Sequence, residues 1–450
     1  MRPLLPLTLL LILLQTPASA TLPPGAPTKR GEFAFHYATR YTAEELRWYG
    51  RFKVVVTGDF LPPDQVAQLH RAGCKLVAYE WTVALYLPPW KEAGAWERGV
   101  VRDHPNWLLN PDAPLFGGAG AADNPAYYYD PANAELRKWR VGHLLNAVSE
   151  HHYDGLFFDT TGFASVQSTA QETFKRRYPG GRYDAYVGLF LRDLKRTAPR
   201  VIVFTNQGYR NAADYLPYAD YDLTESYMTS TGGPTGTVDV EGKGARTVTE
   251  TLYHPWNDPD HPWDSVAHYC QVLINDPVRL HGYRSQICHL NYGEAQYVPA
   301  GRARPSSHGG PGVFRPALDR QALYYGFAAA ALMGQSSFFQ PPAGVPEDDV
   351  YFADLGRPLG ATYNYDARSG IAWRVFRNGV VVVNGSGAGR RISFPAGSLP
   401  RGVTGLWDVY AGGPAPGFHK DRSLTIPAGF YPATRRTTPS GRVYLFLGGG

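Results

Sequence analysis

Residues 153–162 read YDGLFFDTTG, an apolar run from Gly155 to Phe158 held between two carboxylates, Asp154 and Asp159. A run this greasy, with no polar alternation, suits a parallel strand covered on both faces. Side chains alternate along a strand, so Gly155, Phe157 and Asp159 share one face while Leu156 and Phe158 share the other. Asp154 enters at the N-terminal end, where a carboxylate serves as a structural ion-pair or hydrogen-bonding group. Asp159 leaves at the C-terminal end, where a parallel barrel gathers the loops that build its active site. That is a functional address, and the competing reading makes Asp159 an N-cap for whatever helix follows.

Working outward, the pattern recurs on both sides. FAFHY (33–37), KVVVTGDF (53–60) and CKLVAYEW (74–81) precede this strand. RVIVFTNQG (200–208), YDLTESYM (221–228), RSQICHLNYG (284–293) and QSSFFQ (335–340) follow it. Helical stretches separate them. Thr42 and Glu45 are spaced as a capping box, and Gly73 sits where a helix C′ glycine belongs. Asp130 and Pro131 fit N-cap and N1 of a helix whose Leu136, Trp139, Leu144, Leu145 and Val148 recur at helical spacing. A polar insertion from Thr229 to Asp264 precedes a further helix, SVAHYCQVLIND (265–276). The fold class expected is α/β: a (β/α)₈ TIM barrel with long βα loops over residues 21–361.

Beyond Thr362 the texture changes to short β-rich runs between turns. IAWRVFRNGVVVVNGS (371–386) contains Asn378-Gly379, a type I′ hairpin signal. Residues 362–450 therefore read as an all-β sandwich-like domain. At the other end, residues 1–20 (MRPLLPLTLLLILLQTPASA) combine Arg2, an apolar stretch from Leu4 to Leu14 and Ala18-Ser19-Ala20, the make-up of a secretory signal peptide. The stretch is too short to span a bilayer, and no later run reaches the roughly 18 apolar residues required, so no membrane span is expected. The expected location is secreted, periplasmic or cell-envelope. Net charge is +5 and is spread without basic blocks, which gives no footprint for nucleic acid. Three cysteines leave at least one unpaired, and pairing of Cys270 with Cys288 stays open. Aromatics make up 14% of the chain, enough either for a large core or for exposed rings that stack on sugars.

Glu225 in the sixth strand occupies a place comparable to Asp159. Retaining glycosidases use two carboxylates roughly 5 Å apart, one attacking the anomeric carbon and one carrying the proton. Their environments must differ, because one stays ionised and the other keeps its proton. Asp159 as nucleophile and Glu225 as acid/base satisfy that pattern. Further polar or aromatic residues at strand ends are candidates for substrate binding: Asp59, Glu80, Trp81, Asn206, Gln207, Tyr227, Asn291, Tyr292 and Gln340. Glu80 is also an alternative acid. On the insertion, Trp256 and Trp263 suit sugar stacking. His254, Asp258 and His261 mix ligand types without a metal-binding spacing. Neither a metal nor a cofactor is expected, and no GxSxG elbow or P-loop is present.

YDGLFFDTTG, the later LTESY and the helix start YYYDPANAELRKW together resemble secreted barrel glycosidases around the endo-α-1,4-polygalactosaminidases (spherulin-4-like proteins). That resemblance implies a polysaccharide or oligosaccharide substrate, an amino-sugar polymer among them, with the nucleophile on Asp159 and the acid/base on Glu225. It also implies a C-terminal β module. A barrel that binds glycans without cleaving them is the alternative from a different class.

Overall fold

The computed structural model describes residues 22–448, apart from 87–94, 113, 116–125, 160, 257–266, 268, 277–280, 301–312, 396 and 419–421. The signal-peptide reading of residues 1–20 therefore lies outside the described residues, as do Asp258, His261 and Trp263. Eight parallel strands form one sheet in sequential order: β1 (Gly31–His36), β2 (Phe52–Thr57), β3 (Lys75–Trp81), β4 (Gly155–Asp159), β5 (Ile202–Asn206), β6 (Tyr221–Glu225), β7 (Gln286–Tyr292) and β8 (Ser336–Gln340). Each is one of the eight runs expected from the sequence. Phe33 on β1 meets Phe338 on β8 at 6.2 Å between ring centroids, which brings the two edges of the sheet together. The barrel interior is filled by phenylalanine: Phe157 lies 5.1 Å from Phe35 and 5.4 Å from Phe204. Packed rings, not a pore, hold the strands at their tilt.

The helices start where local chemistry dictates. Helix α1 (Ala43–Tyr49) opens on the complete Thr42/Glu45 capping box, and α2 (Pro63–Arg71) ends before Gly73 at φ +80°. For α3 (Ala134–Glu150) the cap is Asn133, whose side chain accepts from Glu135 N and Leu136 N at 3.0 Å each. Asp130, expected as that cap, is instead buried and accepts from Arg177 at 3.2 Å and Tyr178 at 3.0 Å. Asp154 is the structural group anticipated, bonded to His70, Lys75 and Leu76 N at 2.7–2.9 Å.

The loops after β6 and β7 are not irregular. Four segments, Ala245–Thr249, Thr235–Val240, Val313–Ala317 and Gln296–Pro299, pair in that order into a small sheet. The described part of the polar insertion, 229–256, thus carries several strands, and its Val238 and Val248 form an apolar seam with Phe314 of the loop after β7. Trp256, expected as a stacking platform, is 1% exposed and packs on Tyr363 at 5.8 Å. The three cysteines are buried free thiols, so Cys270 and Cys288 are not joined.

The C-terminal domain centres on β9 (Ile371–Val375), β10 (Gly379–Asn384) and β11 (Ser440–Leu447) in a six-stranded antiparallel sheet. A second layer, the pair Arg390–Ser393 and Ser423–Ile426, covers it with Ile392, Leu424 and Ile426. The β9–β10 turn is centred on Arg377-Asn378, and neither residue has the positive φ a type I′ turn requires, so the Asn-Gly reading was one residue out of register. Helix α4 (Arg320–Met333) is buried along nearly its whole length because β8 flanks one side and β10 and β11 the other. A helix covered all round needs no polar face. At Gly441 a Cβ would lie 2.2 Å from Tyr324 O, so only glycine permits this approach of helix and sheet. One core runs through both parts of the molecule. Gly441→Val should cost about 1–3 kcal/mol through overpacking, read by chemical denaturation. Loss of both parts in a single transition is expected; a β-domain transition separated from an unchanged barrel transition would refute the shared core.

Candidate active site

Register decides which strand-end residues face the cleft. Tyr79 pairs with Phe157 and Trp81 with Asp159, and Tyr292 pairs with Gln340. Phe204 and Asn206 fall on the same inner face, as do Leu223 and Glu225. The inner top layer is therefore Trp81, Asp159, Asn206, Glu225, Tyr292 and Gln340, with Tyr79 beneath Trp81.

Asp159 caps no described helix. The next short helix, Phe163–Ser165, has no side-chain cap, and Phe163 N donates to Asp184 instead. Asp159 Oδ1 accepts from Asn206 Nδ2 at 2.7 Å, and Oδ2 accepts from the Tyr79 hydroxyl. Thr161 fixes the neighbouring strand by donating its hydroxyl to Asn206 O. Glu225 Oε1 accepts from Tyr292 Oη at 3.2 Å.

Burial raises the pKa of Glu225 above the ordinary carboxylate value, and the adjacent Asp159 charge raises it further. The Asn206 and Tyr292 donors oppose both effects by favouring the ionised form. Tyr79 and Tyr292 are held neutral, chiefly by burial and then by the carboxylates beside them. They remain hydrogen-bond donors. Tyr37 stacks edge-on against Tyr79 at 5.8 Å and is 37% exposed. Tyr37 and Tyr79 were missed in the sequence because an aromatic within or just after an apolar run reads as core. Their only signal was the pleat: both fall in phase with inward residues.

Two strand tops turn sharply just after a site residue. Gln207 and Ser226, following Asn206 and Glu225, have φ of +56° and +51°. Left-handed backbone is uncommon for such residues and here redirects the chain at the cleft rim. Behind β6, the buried Asp222 accepts from Thr205 Oγ1 and Gly208 N at 2.7 Å and from Tyr209 N at 2.9 Å. Burial pushes Asp222 up to about 7 against these donors. Its bonds hold the loop after Gln207, and a Cβ on Gly208 would lie 2.8 Å from Asp222 Oδ1.

Several expected binding residues belong elsewhere. Glu80 points outward and pairs with Arg140 of α3 at 2.8 Å, so it is neither cleft ligand nor alternative acid. Asn291 is fully buried on the outer face, accepting from Met228 N at 2.7 Å and donating to Ser337 at 2.9 Å. Tyr227 is buried against His289, with ring centroids 3.6 Å apart, and its hydroxyl meets Cys270. Asp59 accepts from Phe60 N within the β2 loop, and Gln207 sits on the rim turn. Asn206 Oδ1 and Gln340 Oε1, by contrast, are buried on the inner face without a partner among the described residues. Both are acceptors that a ligand hydroxyl would satisfy. No cluster of three or more metal-ligating side chains occurs among the described residues, and no described helix is long and apolar enough to cross a membrane.

No family model and no curated protein matches the chain. Among solved structures, the glycoside hydrolase domain of PelA from Pseudomonas aeruginosa is similar at 18% identity, over 69% of this chain and 95% of that one, with a TM-score of 0.41. The noncanonic maltogenic α-amylase AmyB from Thermotoga neapolitana is similar at 9% identity, over 93% and 96%, with a TM-score of 0.47. An α-amylase from Geobacillus thermoleovorans, complexed with acarbose, is similar at 9% identity, over 92% and 98%, with a TM-score of 0.48. Likeness at this level transfers neither substrate nor site residues to this chain.

The electrostatics of the pair are testable without a substrate. Because the folded-state pKa of Glu225 is raised, its stabilising contribution is complete below the usual glutamate range and is lost as pH rises through the folded value. Asp159→Asn removes one cause of the shift. The variant should be more stable than wild type above that titration by roughly 1–3 kcal/mol, with the gain shrinking in acid. Carboxyl-carbon NMR should show Glu225 titrating lower in Asp159→Asn and higher in Asn206→Ala. Identical titration in all three proteins would mean that the groups are not coupled.

Proposed function

We propose that this chain is a secreted glycoside hydrolase that cleaves an extracellular or cell-envelope polysaccharide with retention of configuration. The observation that carries the reading is the pair of carboxylates on the inner strand tops, Asp159 held by Asn206 and Tyr79 and Glu225 by Tyr292, with burial and the Asp159 charge both raising Glu225. A carboxylate already oriented by two donors beside a proton-keeping partner suits direct attack, the retaining course.

In this mechanism Asp159 is the nucleophile. Its two oxygens are oriented by Asn206 and Tyr79, so the attacking lone pair is placed before substrate binds. Glu225 delivers its proton to the glycosidic oxygen as the bond to the anomeric carbon breaks, and Asp159 forms an ester with that carbon. Esterification neutralises Asp159, which removes its charge from beside Glu225. The Glu225 pKa then falls, and the same residue, now ionised, takes a proton from the water that opens the ester. The coupling that makes Glu225 an acid in the first step thus releases it as a base in the second. Asn206 Oδ1 and Gln340 Oε1 accept from sugar hydroxyls, and Trp81 and Tyr37 supply ring surface at the rim.

Reducing-end release on a panel of neutral, amino-sugar and acidic glycans tests this reading. Asp159→Asn and Glu225→Gln should each lower turnover by about 10²–10⁴-fold or more while glycan binding persists. Tyr79→Phe should cost roughly tenfold to a hundredfold, the worth of one hydrogen bond to a charged group. Absence of turnover on every glycan, with binding indifferent to both carboxylate changes, would sink the hydrolase and favour a binding barrel.

A further inference from the structure

A deep groove lies away from the strand tops. It encloses about 1040 Å³ between residues 23–27 and the C-terminal sheet. Residues 23–27 lead into the N-terminal end of β1, and Arg374 in the groove donates to Leu332 O, near the end of α4 and just before β8 begins. Both marks put the groove at the opposite end of the barrel from Asp159 and Glu225. It is not a subsite of the cleft.

Its charge is one-sided. Among the described residues, Arg374, Arg377 and Arg401 line it, and no Asp or Glu does. Among the described residues no carboxylate pairs with any of the three. Arg377 and Arg401 are exposed, whereas Arg374 is only 7% exposed. The hydrogen bonds of Arg374 all go to backbone carbonyls, Leu332 O at 2.8 Å and Gly360 O and Ala361 O at 3.1 Å, its Nε has no partner among the described residues, and its guanidinium lies 5.8 Å from the centre of the Phe376 ring. Carbonyl dipoles, even those at a helix C-terminus, offer a fraction of a charge. A guanidinium buried without an anion is costly, and an incoming anion supplies what the protein does not. Beside the cations the lining is mixed: Leu359, 50% exposed, lies with Val403 and Leu447, while Thr362, Asn364 and Ser398 bring polar groups.

We propose that this groove is an accessory binding site for an anionic polysaccharide, one bearing carboxylate or phosphate groups. The acidic groups pair with Arg377 and Arg401 and place negative potential over Arg374, and the C–H faces of the sugar rings lie on Leu359. The volume far exceeds the roughly 30 Å³ share of one water, so a single small anion would leave the groove mostly unfilled. The choice of a carbohydrate rests on the hydrolase reading above, whereas the demand for an anion rests on the groove alone. Such a site would hold the enzyme on a charged matrix with its cleft facing away from the anchor.

The test is calorimetric titration of the full mature chain with polygalacturonate, poly(glycerol phosphate), neutral dextran and inorganic phosphate. Binding of one or both polyanions, weakening steeply with salt, and none of dextran is expected. Arg377→Glu combined with Arg401→Glu should weaken binding at least tenfold with the melting temperature unchanged. Arg176→Glu combined with Arg196→Glu, the same charge change on exposed helix positions, should leave it within twofold. Equal loss in both double variants would mean only general attraction to a basic protein, and no polyanion binding by wild type would end the proposal. Inorganic phosphate binding as tightly as the polymers would overturn the polysaccharide and leave a small-anion site. Repeating the titration with Asp159→Asn separates the two readings, because groove binding persists there whether or not the cleft hydrolyses glycans.

Discussion

Two carboxylates on strand tops one strand apart cannot both be ionised cheaply in a half-buried cleft. The site depends on how that conflict is settled. Asn206 and Tyr79 support Asp159, and Tyr292 supports Glu225. Burial and the neighbouring charge then push the proton toward Glu225. Nothing in this arrangement requires a mobile group to arrive. The asymmetry between the two carboxylates is present in the resting protein, as the proposed division into nucleophile and acid requires.

The barrel exists in service of that geometry. Asp159, Asn206 and Glu225 come from three consecutive parallel strands, so their spacing is fixed by the hydrogen-bonded ladder and not by loop conformation. Beneath them a layer of phenylalanine rings leaves no room for the strands to shift. Outside, Asp222 ties the loop after β5 to the back of β6, and the left-handed turns at Gln207 and Ser226 aim the strand ends inward. The C-terminal sheet closes over α4 and makes the barrel wall part of a larger core. Its junction with the barrel also creates the basic groove, whose buried Arg374 is a cost that a purely structural role does not explain.

The strands were legible because each is a short apolar run that nothing but a covered parallel sheet can hide. The two carboxylates were legible for the same reason, since an ionisable group at the end of such a run has no core to join. What the sequence could not resolve was the phase of the pleat on the other strands. Glu80 and Trp81, or Asn291 and Tyr292, are adjacent, and one residue of register sends one member into the cleft and the other to the helices. Glu80 went outward because Arg140, sixty positions later, was waiting for it. Tyr79 was hidden by its chemistry, for a tyrosine is a plausible core residue until its hydroxyl is found on Asp159. The turn at Asn378 and the sheet built by the long insertions were lost differently. The turn is fixed by the Val375–Val380 register of the two strands it joins, and the sheet by the pairing of Asp239 with the distant Val313, neither of which local propensity encodes.

The most direct test of the account is to find where a sugar becomes covalently attached. A 2-deoxy-2-fluoro glycoside with an activated leaving group, made from whichever sugar the protein cleaves, should trap the ester with Asp159. Mass spectrometry of the digested protein would then place one glycosyl unit on the peptide carrying Asp159, and none on it in Asp159→Asn. An adduct on Glu225 would invert the assigned roles. Continued turnover with inversion of configuration and no adduct would contradict the double displacement altogether.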